Sequence, residues 1–93
     1  MDDSKIIITI IGVDKVGIVA TFANALAQYQ VNIEDISQTI MQDHFTMIMM
    51  ADFSKATSTF KEFKDALSDI GKETGMEVWV QRKKIFDNMH HVS

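Results

Sequence analysis

The spacing of apolar residues along the chain switches back and forth between two rhythms. Residues 5 to 11, Lys-Ile-Ile-Ile-Thr-Ile-Ile, form a β-branched run followed by turn residues, the pattern of a strand buried on at least one face. From Val16 to Tyr29 the period lengthens: Ile18, Val19, Phe22, Leu26 and Tyr29 recur at three- and four-residue steps, with Ala23, Ala25 and Ala27 adding helix propensity. That spacing predicts a helix. Asp14, three residues before Gly17, is a candidate cap for its first turn, and Gln30-Val31-Asn32 gives a polar exit. The run from Asn32 to Gln42 suits a half-buried strand better than a helix, although Ile33, Ile36 and Ile40 keep helical spacing. Gln42-Asp43 is a short polar break before His44 to Ala51, so the second and third strands read as an antiparallel hairpin.

A Ser, Thr and Lys cluster between Asp52 and Thr59 marks a loop, and Thr59 with Glu62 three residues on has the form of a capping box. Phe60, Phe63, Leu67 and Ile70 then line one face of a second helix, and Gly75 stands where a left-handed C-terminal cap would stop it. Met76, Val78 and Val80 alternate with Glu77, Trp79 and Gln81 as a fourth strand; residues 82 to 93 read as a short helix or an ordered arm. The order βαββαβ predicts an α+β, ferredoxin-like fold: a four-stranded antiparallel sheet with two helices on one face and a C-terminal helical arm. In the third strand both parities are apolar at the centre. Two helices cover only one sheet face, so Ile48 or Met50, with Trp79, is expected to pack against another subunit or under the arm.

Ninety-three residues make one domain, residues 1–93, with a core over about 5–81 and an arm over 82–93. A chain of this size has a thin core, which with the second apolar face favours an oligomer. The net charge of −4 offers no broad attraction to nucleic acid or to anionic membranes. Ile6 to Ile11 is too short for a signal-peptide core or a membrane span, and a cytoplasmic protein is expected. The absence of cysteine closes disulfide, thiolate-metal and thiol chemistry.

The segment Gly12 to Val19 joins strand to helix. Gly12 and Gly17 have the spacing of a Walker phosphate loop, but Ile18 and Val19 replace the lysine and hydroxyl that such a loop needs. The third glycine of a dinucleotide turn is also missing. A third reading is a site for a small polar molecule, in which Gly17 and Ile18 offer backbone N–H groups to a carboxylate and Asp14 takes an ammonium. Against it stands a purely structural turn, with the glycines allowing the bend and Asp14 capping the helix.

Other chemistry is sparse. His44, His90 and His91 are the only imidazoles, and the adjacent pair points apart on helix or strand, so surface or packing roles are expected and no metal site. Seven methionines lie largely among Ile and Phe and read as core or interface filler. Arg82-Lys83-Lys84 reads as a solvated helix start. No paired carboxylates or triad pattern mark an enzyme, and no cofactor is expected.

The strand, the Gly12-Val13-Asp14-Lys15-Val16-Gly17-Ile18-Val19 turn and the Val31-Asn32-Ile33 entry to the second strand resemble the ACT domain, over about Lys5 to Gln81. Asp35-Ile36-Ser37-Gln38-Thr39-Ile40, Phe45-Thr46-Met47 and Ile85-Phe86-Asp87-Asn88-Met89-His90 resemble the small stand-alone bacterial ACT proteins in particular. The resemblance implies a non-enzymatic regulatory module, a homodimer joined sheet to sheet, and a ligand at that boundary. The ligand would be an amino acid or similar small polar molecule. The residues it implies are Asp14 and Asn32 beside the backbone of Gly17 and Ile18, flanked by Lys15 and Ile33. Val16 stands where the family often has proline and Asp14 where many amino-acid binders have asparagine. The alternative is a ligand-free homo-oligomeric interaction module. As a sensor it would signal through a protein partner that these residues do not identify, and nucleic acid and membrane are expected in neither case.

Overall fold

Strict alternation organises the sheet. In the computed structural model, which describes residues 4–13 and 15–89, Ile6, Ile8 and Ile10 on strand β1 (Lys5–Val13) are fully buried on one face. Phe45, Met47, Met49 and Ala51 on β3 (His44–Asp52) lie on that same face. β1 pairs antiparallel with both β3 and β4 (Glu77–Arg82), and β2 (Asn32–Met41) pairs with β3, giving the order β2-β3-β1-β4. Helices α1 (Ile18–Gln28) and α2 (Phe60–Thr74) close the core with Phe22, Leu26, Phe63 and Leu67. This is the ferredoxin-like βαββαβ arrangement, with α3 (Lys83–Met89) following β4 directly.

The helix ends follow local rules unequally. Thr59 accepts from the Glu62 N–H at 3.1 Å while Glu62 Oε1 accepts from the Thr59 N–H at 2.9 Å, a complete capping box. Gly75, at φ 76°, stops α2 as its sequence position predicts. α1 departs from expectation at its start: Gly17 adopts φ 83° and ends the turn, so the helix begins at Ile18 and Val16 is fully exposed outside it. At its other end Gln30 takes φ 60°, with Gln30 N–H bonded to Ala27 O and Val31 N–H to Leu26 O. That is a Schellman pair, with Val31 and Leu26 buried together in the core. The Gln42-Asp43 hairpin also uses one positive φ, 58° at Gln42.

β2 is not half-buried: only Ile33 is shielded, and Ile36 and Ile40 are exposed although register puts them on the helix-facing side opposite Met49 and Phe45. A bulge between Ile33 and Asp35 lets Ile33 and Ile36, three residues apart, share that face. The helical spacing in this strand is therefore the trace of a bulge. On the other sheet face the arm does what parity required of something. α3 packs on β1 and β4, Gln81 Nε2 donates to Met89 Sδ at 3.2 Å, and Ile7 is buried on that side. Ile48 and Met50 are half-buried there, while Trp79 remains 47% exposed.

Candidate functional site

The turn after β1 is built around a missing side chain. Gly17 occupies the N-cap position of α1, where serine or aspartate would normally bond a first-turn N–H, and the first turn carries no acidic residue. Its carbonyl is well used, accepting the Thr21 N–H at 2.9 Å and the Thr21 hydroxyl at 3.0 Å. The Ile18 side chain is buried, so what Ile18 offers at the turn is backbone; its N–H reaches the Lys15 carbonyl over a long 3.4 Å. A Cβ at Gly17 would meet nothing within 4 Å, so the glycine is demanded by φ and not by crowding. Asp14 lies outside the described residues, as do His90 and His91.

Lys15 turns away from the helix opening. Its ammonium donates to the Thr74 carbonyl at 2.6 Å, at the C-terminus of α2, where the helix dipole favours a cation. It ties the turn to the α2–β4 junction.

Asn32 sits at the far end of the molecule. It is exposed, pairs in register with Asp52, and lines an open cleft of about 620 Å³ with Gln30, Ser54 and Lys55 among its walls. Ser54 N–H donates to Asp52 Oδ1 at 2.9 Å. That bond, with the Ser54 and Ser4 hydroxyls and the Lys5 ammonium behind it, holds the Asp52 carboxyl down at about 2. Lys5 bridges the three strands here, 2.5 Å from Glu34 and 3.7 Å from Asp52. Ile33 packs against the core. Asp52 and Ser54 escaped the sequence reading, although Asp-x-Ser leaving a strand is a turn signal in its own right.

Register separates the two halves of the expected site. Asn32 is level with Asp52 and Lys5, whereas Met41 is level with His44 and Val13. At 3.3–3.4 Å per residue the two ends of β1 are roughly 27 Å apart. Gly17 and Ile18 stand together, Lys15 faces α2, and Asn32 and Ile33 lie at the opposite end. Among the described residues no group of three or more His, Cys, Asp or Glu converges, and no helix is long and apolar enough to cross a membrane.

A ferredoxin-like sheet with a glycine turn opening its first helix is the architecture of a class of regulatory, ligand-binding modules found in amino-acid-responsive proteins. The chain belongs to that class, the ACT domain family, whose model matches residues 4–81. It is similar to a UPF0237 protein of Methanococcus maripaludis, 51% identical over 88 residues that cover 95% of this chain and 98% of that protein. A UPF0237 protein of Clostridium acetobutylicum is 48% identical over 88 residues, covering 95% and 99%. These relatives are archaeal as well as bacterial, which widens the bacterial resemblance read from the sequence. An ACT domain protein from Streptococcus pneumoniae has the same fold, with a TM-score of 0.77, 31% identity and coverage of 96% of this chain and 97% of that one. The family places the chain with small domains of regulatory type.

Proposed function

We propose that the protein is a homodimeric sensor that holds an amino acid, or a similar small polar molecule, between two copies. The observation that carries this reading is the separation of Gly17 from Asn32 within one chain. β2 is an edge strand, ten residues long, that among the described residues pairs only with β3 and displays Ile36, Ile40 and Met41. Two copies joined along β2 about a two-fold axis through its middle run antiparallel, which brings the Asn32 end of one against the Met41 end of the other. Asn32 of one copy then approaches the α1 opening of its mate, and the ligand's carboxylate meets the Gly17 and Ile18 N–H groups while Asn32 orients the rest. Asp14, by its charge, would take the ammonium.

The Lys15 to Thr74 bond favours a second reading, a ligand-free interaction module, because it shows a turn residue already committed inside the fold. Thermal-shift screening against the standard amino acids separates the two. A ligand at a hundred times its Kd stabilises by about 2.7 kcal/mol, which for a domain of this size raises Tm by roughly 10 °C or more. Loss of the response in Asn32→Ala is expected of the sensor. No response to any amino acid, with a light-scattering mass of twice 10.5 kDa, selects the interaction module. A mass of 10.5 kDa across micromolar concentrations removes the dimer altogether.

A further inference from the structure

The sheet face away from α1 and α2 carries a second concavity that the proposed sensor site does not use. Its floor is Thr9, Ile11, Ile48 and Trp79 on β1, β3 and β4, and its wall is Phe86 and Met89 of α3, with Gln81 between them; the cavity is open and measures about 360 Å³. That volume lies in the lower range of small-molecule pockets, which are largely apolar with a few placed polar groups.

We infer that this groove binds a small uncharged aromatic molecule of one or two rings bearing a hydrogen-bond acceptor. The lining fixes each part of that description. None of the seven residues is ionisable, so a charged ligand would give up hydration without gaining a partner. Trp79 and Phe86 supply two rings and Met89 a thioether, the set that packs best against an aromatic guest. Trp79 keeps 47% of its surface open although α3 lies alongside. The acceptor follows from Gln81, whose carboxamide N–H groups now reach Met89 sulfur at 3.2 Å. Sulfur is a weak acceptor, and a carbonyl oxygen in the groove replaces it with a stronger bond. A second copy is a poorer occupant: related by a two-fold axis, it would set one concavity over another and leave the space between them unfilled.

Trp79 is the only tryptophan of the chain, so its indole N–H gives a single resonance that reports on the groove. Titration of the full-length protein with benzamide, benzoate and cyclohexanecarboxamide, followed by ¹H–¹⁵N correlation spectra, tests charge and aromaticity separately. Benzamide is expected to shift the Trp79 indole and the Thr9 and Ile48 amides saturably. The other two are expected to bind about tenfold more weakly or not at all. Phe86→Ala should weaken benzamide about tenfold. Because that change can also loosen α3, Thr9→Phe serves beside it: a strand-compatible ring fills the groove and should abolish binding in a folded protein. The inference is overturned if benzamide produces no saturable shift, if benzoate binds as well, or if Thr9→Phe binds unchanged. It is equally overturned if the Trp79 resonance follows protein concentration instead of ligand, since a second copy then takes the groove. Amino-acid responses at the Gly17 end do not enter any of these outcomes.

Discussion

The two core helices begin in opposite ways. α2 opens on Thr59, whose hydroxyl and whose partner Glu62 satisfy two backbone donors reciprocally and place a negative charge at the positive end of the dipole. α1 opens on Gly17, which has no side chain to give, and has no acid in its first turn. Both helices bury comparable apolar faces against the same sheet, so packing does not account for the difference. A helix start with no side-chain cap and only the long Ile18 N–H bond to the Lys15 carbonyl is costly to a domain this small and useful to a ligand that brings its own oxygens.

The contrast can be broken most strongly at Gly17. Gly17→Ala forces a Cβ into left-handed backbone and is expected to cost about 1–2 kcal/mol, a Tm loss of roughly 5–10 °C in a thermal melt; a smaller loss would mean the turn relaxes out of φ 83°. At the closed helix, Thr59→Ala removes one side of the box and should cost about 1 kcal/mol by chemical denaturation. Ala20→Glu makes α1 more like α2 by adding an exposed acid to the first turn. The dipole gain, offset by alanine's better propensity, leaves a net stabilisation of about 0.3 kcal/mol. Its sharper effect is to compete for the same N–H groups, so it should suppress any amino-acid thermal shift while the protein stays folded.

The weakest handle is a carboxylate that accepts a backbone N–H away from any helix. Asp52, held at about 2, lies below its usual 3.8 because the folded state favours its charged form. A depressed folded value stabilises above the unfolded pKa, and that contribution fades as pH falls from about 4 through about 2. Asp52→Asn should therefore lower the neutral plateau, leave stability near pH 2 almost unchanged and so flatten the profile across that window, as read by urea melts at stepped pH.

Elements whose signals are local were legible beforehand. The Thr59 and Glu62 spacing, Gly75 and the alternation of Ile6, Ile8 and Ile10 each act within a turn or along one strand, and each took the form its chemistry predicts. Val16 was misplaced because periodicity runs smoothly through Gly17, and only φ 83° reveals that the helix has not yet begun. Ile36 and Ile40 read as half-buried because apolar type does not report how far a helix reaches over an edge strand. Of the candidate site, the adjacency of Gly17 and Ile18 was visible. The contact of Lys15 with Thr74, 59 residues away, and the distance of Asn32 from the turn depend on register between strands, which no single segment encodes.

β4 runs into α3 with no linker, Arg82 ending one and Lys83 starting the other. Slipping β4 by one residue against β1 would turn Val78 and Val80 out and Trp79 in, and the same slip would rotate α3 bodily away from the sheet, stripping the cover from Ile7. The appended helix thus acts as a proofreader of the last strand: an alignment error that costs a few contacts at the edge is punished a second time on the opposite face.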